Sequence, residues 1–462
     1  MNQILISGAT VITLDRDRRV IKDGAILIQD SRIVEVGKTD EVRRRNPGSE
    51  VIDANRKFVL PGLIDTHLHL TQTLSRGLAD QVSVTDWLYK RVFPYEELLT
   101  PDDIYVNAQL ASLEMIRTGT TCFADPGGYQ MENAGRAIEE SGIRGILAVA
   151  SIDEEDASHP LPKGFRTTTD EVIRQTENLM RAFNGKANGR IRVWAALRGM
   201  LNDSKELILR MDDLAKKHGT GIEAHVSFWR DNVEWLRKTK GLTDVRYLES
   251  LGVLGPNWLM SHMGWVEDEE IEIVKEHKVN VSYCPGSGMK MPLGTNMNGK
   301  IPKMLNRGVN ISLGCDSTSA CNSLDMFRAM WAASTINKEM HLDPLLISPE
   351  QVLEMATING AKGLLWEDEI GSIEAGKRAD IIIINPRRSN LVPFQNFSLV
   401  PNIVYSGEGS NVETVLVAGR ILMNNGEILT IDQDAILERA QKAHDRITDT
   451  IGFKINPSWN FA

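Results

Sequence analysis

Apolar and polar positions change rhythm near residue 58. Up to about residue 57 they fall into short alternating runs, "ILISGATVITLD", "GAILIQDSRIVEVG" and "EVIDANRKFVLPG". Such runs mark strands, and no helical period is present. From Val59 onward, short and nearly continuous apolar runs are separated by longer helical stretches. The runs are "VLPGLIDTHLH", "TTCFADPG", "RGILAVASID", "RIRVWAALRG", "GIEAHVS", "NWLMSHMG", "VNVSYCPG" and "NISLGCDS". Strands apolar on both faces belong to a parallel sheet covered by helices. Eight β/α repeats fit a closed barrel better than an open sheet. A helix starts at "SPEQVLEMATINGAKGLL", with Ser-Pro at its entrance and Glu350 in its first turn. Strand-like segments then return in "GSIEAGKRADIIIINP" and "VETVLVAGRILMNNGEI", before a last helix over roughly 433–450. The expected fold is α/β: a (β/α)8 TIM-like barrel over 58–368 with a small β-sandwich domain formed by both chain ends. That domain takes residues 1–57 and 369–430, and 431–462 form a C-terminal helix and tail.

Composition narrows the partners. The chain has 462 residues, 42% hydrophobic and 25% charged, which is enough for a large core. A formal net charge of -10 argues against nucleic acid, whose phosphates need a basic stripe. No apolar run approaches the roughly 20 residues of a membrane span. The N-terminus has neither a basic start nor the apolar core of a secretory signal. Cys122, Cys284, Cys315 and Cys321 show no CxxC spacing, so reduced thiols in the cytoplasm are expected.

In an eight-stranded barrel the active site lies at the C-terminal strand ends. Here those ends carry a pattern. The first ends in His67 and His69, two positions apart and so on one side of a strand. The fifth carries His225, the sixth His262, and the eighth ends at Asp316. A single histidine at a strand end is more often an ordinary polar residue than a ligand. Five groups at four strand ends of one barrel, met in order, are a stronger signal. Nitrogen and carboxylate ligands suit one divalent metal ion, zinc first, with iron, manganese or cobalt as alternatives. His159, His218, His277, His341 and His444 fall in helices or loops and are expected at the surface.

These motifs resemble the amidohydrolase superfamily, in the branch of triazine hydrolases, S-adenosylhomocysteine deaminases and guanine deaminases. The resemblance is carried by "VLPGLIDTHLHL", "RGLADQVSVTDWL", "GTTCFAD", "EAHVS", "SHMGW", "SYCPGSGMKMPLG", "ISLGCDSTSACNSLDMF" and "GSIEAGKRADIIIIN". It implies a mononuclear site with His67, His69, His225 and Asp316 as ligands, His262 beside the bound water, and Asp316 as proton carrier. It also implies a homo-oligomer acting on a small molecule. Binuclear relatives carry a carboxylated lysine at the end of strand four. This chain has Arg198 there, and a guanidinium cannot form that bridge. Arg198 either ties the strand end to its loop or binds substrate. Gln72, Trp87, Phe228 and Trp229 are the other candidates for substrate contact.

Two positions depart from the family pattern. Deaminases of this branch place a glutamate three residues after the strand-five histidine, where this chain has Phe228. That glutamate protonates a ring nitrogen, a contribution of about 10²–10⁴-fold. Glu223 and Asp231 could stand in for it, although a supporting or solvated role is the plainer expectation for both. Gly288 replaces an asparagine in "PGSGMKM". With Phe228 and Trp229 this suggests a less polar, more aromatic site. The expected activity is metal-dependent hydrolysis of a non-peptide carbon–nitrogen bond, with amides, ureas or carbamates foremost because a carbonyl needs no ring protonation. The alternative is deamination or dechlorination of a nitrogen heterocycle such as a triazine, purine or pterin. A non-catalytic scaffold is a remote third, since such proteins usually lose ligands.

Overall fold

The computed structural model describes residues 3–78, 80–155 and 161–452. His159 and the tail from 453 lie outside the described residues. A four-stranded parallel sheet contains Leu63–Asp65, Thr120–Ala124, Arg144–Leu147 and Ile191–Val193. A five-stranded parallel sheet contains Ala195–Leu197, Ile222–Val226, Trp258–His262, Asn280–Tyr283 and Ile311–Leu313. The run expected as the fourth strand is thus divided at Trp194. Its first half pairs with the third strand and its second half with the fifth. Trp194 itself bridges them, its N–H donating to Leu147 O at 3.0 Å. The other seam is joined by Thr66 N–H to Leu313 O at 2.9 Å and Asp316 N–H to His67 O at 2.7 Å. The eight strand positions therefore form a ring, and these two seam bonds lie beside the proposed metal residues.

The helix expected after Ser348 is broken in two. Ser348 and Gln351 form a capping box for Pro349–Met355, and a second helix runs over Ile358–Gly363. Between them the Ala356 carbonyl accepts the N–H of Ile64 on the first barrel strand at 2.8 Å. The helix yields a turn to tie down that strand.

Both chain ends build one nine-stranded mixed sheet. Phe58–Pro61, just beyond the expected boundary, pairs with both Gln3–Ile12 and Ile381–Ile384. Period two divides the isoleucines of the latter strand. Ile381 and Ile383 meet Ile4, Ile6, Ile26 and Ile28 in the small core, whereas Ile382 and Ile384 face the main core. The helix Gln433–Ile451 packs on Pro101–Arg117. His444, expected at the surface, is half-buried, its Nδ1 lying 2.7 Å from Leu74 O. The packing of this helix on the barrel gives it a partner that sequence position alone does not reveal. Among the described residues no helix is long and apolar enough to cross a membrane. All four cysteines are free thiols.

A buried ion pair joins barrel to sheet. Arg144 Nε donates to Asp380 Oδ2 at 2.7 Å and its Nη2 to Oδ1 at 3.1 Å. Ala418 N–H adds a third bond to this carboxylate at 2.7 Å. Removing one partner of a buried pair strands the other charge, at a cost of about 3–5 kcal/mol. Arg144→Leu is therefore expected to lower stability by that amount in urea denaturation. An unchanged midpoint and slope would show that the pair contributes nothing.

Candidate metal centre and active site

Five buried groups meet at the mouth of the barrel. His67 and His69 lie just past the first strand, which ends at Asp65. His225 lies within the fifth strand and His262 ends the sixth. Asp316 follows the eighth by three residues. His225 Nε2 and His69 Nε2 are 3.3 Å apart. Asp316 Oδ1 lies 3.9 Å from His67 Nε2 and 3.8 Å from His69 Nε2, and its Oδ2 lies 3.9 Å from His262 Nε2. Donor atoms on a tetrahedral zinc with bonds of about 2.0–2.1 Å lie about 3.3 Å apart. The atoms of His67, His225 and His262, and those of His67, His69 and Asp316, all fall within 4.8 Å of one another. The spacing and chemistry of these donors fit a divalent ion of the zinc type.

The ring is held by its neighbours. His67 Nδ1 donates to Glu223 Oε1 at 2.6 Å, and Ser261 Oγ lies 3.0 Å from the same nitrogen. The opposite nitrogen, His67 Nε2, is buried with no hydrogen-bond partner. A ligating histidine needs this arrangement: one nitrogen fixed by a carboxylate, the other free to coordinate. Gly314 lets strand eight approach strand one, since a Cβ there would lie 2.8 Å from His67 Cβ. His262 and Asp316 adopt left-handed backbone conformations, φ +76° and +69°. Each costs about 1–3 kcal/mol for a residue with a side chain, and such strain gathers at functional sites.

Burial decides the charges. It pushes the His69 and His225 imidazoles well below their usual pKa, helped by the neighbouring charges. It lowers His262 to about 4 although Asp316 opposes the shift. Burial thus favours the neutral ring for His262 and for His69 and His225, the form a ligating imidazole must have. Burial also opposes charge on His67, but the Glu223 hydrogen bond and charge outweigh it and raise its pKa. Glu223→Gln keeps the size but removes the anion that orients His67. Metal affinity is expected to fall about 10–100-fold, measured by competition against a chelator. Unchanged affinity would remove Glu223 from the site.

The cavity above the ring is a narrow slot of about 40 Å³. Gln72, Trp87, Arg198, Phe228 and Trp229 all line it, together with His69, His225, His262 and Asp316. The Phe228 ring centroid lies 6.1 Å from that of His225 and 5.5 Å from that of His262. The two acids considered as stand-ins are placed elsewhere. Glu223 is bound to His67, and Asp231 is exposed on the helix Arg230–Lys240. Gly288 is not in the cavity wall either. A Cβ there would point at Asn296 Nδ2, 3.1 Å away. Gly288 itself contributes no lining to the slot.

Sequence reasoning missed Glu96. Trp87 Nε1 donates to Ser319 Oγ at 3.1 Å, which donates to Gln72 Oε1 at 3.2 Å. Gln72 Nε2 then donates to Glu96 Oε1 at 2.9 Å, and Glu96 Oε2 lies 3.8 Å from Arg198 Nη2. The available signal was positional. Glu96 sits three residues from both Phe93 and Leu99, on the buried stripe of "VFPYEELL". Asn202 was missed as well, because it lies in an irregular turn after strand four.

The amidohydrolase family model matches residues 58–422. The chain belongs to the amidohydrolase family. It is a hydrolase acting on carbon–nitrogen bonds other than peptide bonds. A further match, over residues 24–48, is to the imidazolonepropionase-like composite domain of bacteria. The chain is 36% identical to a 5'-deoxyadenosine deaminase from Methanosarcina mazei, covering 97% of this chain and 99% of that one. It is 36% identical to a 5-methylthioadenosine/S-adenosylhomocysteine deaminase from Caldanaerobacter subterraneus, covering 95% and 97%. An adenosine deaminase from Xanthomonas campestris with bound zinc superposes with a TM-score of 0.90 at 24% identity, over 97% of this chain and 99% of that one. Atrazine chlorohydrolase from Arthrobacter aurescens, complexed with zinc, gives 0.86 at 24% identity, over 96% and 100%. These two likenesses establish the shared fold of this amidohydrolase.

Proposed function

We propose that this amidohydrolase is a zinc-dependent aminohydrolase of a planar nitrogen heterocycle. The observation that carries this reading is the full-length similarity to deaminases of 5'-deoxyadenosine and 5-methylthioadenosine. In this reading His67, His69, His225 and Asp316 hold the ion. When bound, such an ion supplies Lewis acidity and lowers the pKa of water toward neutrality. The Asp316 carboxylate accepts the proton of the attacking water and returns it to the departing amine. Neutral His262, its Nε2 facing Asp316 Oδ2, positions the attacking oxygen. Trp87, Phe228 and Trp229 hold the flat ring and exclude bulk water.

Phe228 favours a second reading, hydrolysis of an amide, urea or carbamate. A phenyl ring cannot protonate a ring nitrogen, whereas a carbonyl carbon needs no such step. Zinc-loaded protein offered 5'-deoxyadenosine, 5-methylthioadenosine, a chlorinated triazine, aryl amides, ureas and carbamates separates the two. Ring deamination with kcat/KM above about 10⁴ M⁻¹s⁻¹, an ordinary enzymatic value, supports the first. Turnover confined to the carbonyl compounds replaces it with the second.

A further inference from the structure

We propose that the substrate ring carries an acidic oxygen group, a carboxylate or an ionised ring oxygen, that docks on the free edge of the Arg198 guanidinium. The proposal rests on the reading of this slot as the substrate site. The Arg198 side chain is only 8% exposed. Its Nη1 is buried with no hydrogen-bond partner, and its Nη2 has only the distant Glu96 Oε2 at 3.8 Å. Asn202 Nδ2 and Trp229 Nε1 line the same slot, are buried, and also lack acceptors. Glu96 Oε2, the acceptor beside Arg198, is itself buried without a hydrogen-bond partner. The three donors in the slot are free to take acceptors from a ligand, and each buried donor so paired avoids a cost of about 1–3 kcal/mol.

The turn that presents two of these donors is built rather than incidental. Ser151 Oγ accepts Arg198 N–H at 3.0 Å and donates to Asp203 Oδ1 at 3.0 Å. Asp203 Oδ2 accepts Gly199 N–H at 2.9 Å. Asn202 O accepts two further N–H groups, from Asp153 and Glu154, each at 3.0 Å. Register sets the depth. Leu197 pairs with Ala224, so Arg198 is level with His225. The acidic oxygen therefore belongs on the reacting ring and not on a remote tail. Phe228 fits this picture. A carboxylate at 228 would repel an anion, and the phenyl ring does not. Planar bidentate recognition of an oxyanion is what arginine does best.

Calorimetry on zinc-loaded protein tests this with pyrimidine-5-carboxylate and its neutral isostere pyrimidine-5-carboxamide. The acid group at position 5 is not adjacent to a ring nitrogen, so it cannot chelate the ion together with one. The carboxylate is expected to bind about tenfold tighter or more, equivalent to about 1.4 kcal/mol. Arg198→Met should erase that preference with metal content and circular dichroism unchanged, and Arg198→Lys should keep part of it. Equal affinities in the natural protein overturn the proposal, as does a preference that survives Arg198→Met. Failure of the carboxylate to bind at about 10 mM, a negligible affinity, overturns it too. If the methionine variant does not fold, the comparison in the natural protein and the lysine variant decides. Deamination of neutral 5'-deoxyadenosine is scored separately. Rapid turnover of it with no carboxylate preference removes this inference alone, and a carboxylate preference with deamination of neither it nor 4-aminopyrimidine-5-carboxylate removes the aminohydrolase reading alone.

Discussion

Replacing His67 and His69 together with alanine is expected to yield a folded protein that holds no zinc and has lost at least about 10⁴-fold in turnover, since the ion's activation of water goes with it. The fold should survive because both residues lie beyond the end of the first strand at Asp65, and the backbone bonds across the seam do not need their side chains. The damage to stability is local. Losing the His67 ring leaves Glu223 Oε1 with Ser261 Oγ as its remaining partner at 3.1 Å. A buried group so deprived costs about 1–3 kcal/mol, within the 5–15 kcal/mol that a domain commonly has. Metal analysis and a thermal melt check both halves. Stoichiometric zinc in the double variant would sink the ligand assignment, and a collapsed melt would show that the ring is structural.

The readable part of this site was the part set by strand period and strand ends. His67 and His69, two apart, and His225, His262 and Asp316, each at the close of an apolar run, follow from barrel geometry without any contact being known. The barrel and the pairing of the two chain ends were readable for the same reason, since apolar runs on both faces require covered strands. What was not readable depends on where irregular backbone turns. Glu96 reaches Arg198 through a short helix 24 residues beyond Gln72, and no local pattern fixes its direction. The division of strand four at Trp194 arises because one short segment must serve two neighbours. The break at Ala356 arises because its carbonyl is taken by the first strand. Gly288, singled out by the sequence, does not line the slot, and a Cβ there would meet Asn296 first.

Asp316→Asn is the sharper test of chemistry, because it changes one charge and almost no volume. Asp316 is fixed from two sides, its N–H on His67 O at 2.7 Å and its Oδ1 accepting Ser317 N–H at 2.6 Å. Asparagine can keep the first bond and, through its own oxygen, the second, so the left-handed backbone at this position should persist. What the amide cannot do is accept a proton from the attacking water and carry it to the leaving group. The turnover number is therefore expected to fall by about 10²–10⁴-fold, the usual contribution of a positioned acid–base group. KM should change by much less, because asparagine keeps the volume that Asp316 fills in the slot wall. The comparison must be made at equal zinc occupancy, since a weakened ligand set would lower activity by itself. A variant that holds its metal and turns over at nearly the natural rate would move the proton to another group. Glu223, a buried carboxylate bonded to His67, is then the next candidate, and that bond would have to break for it to serve that role.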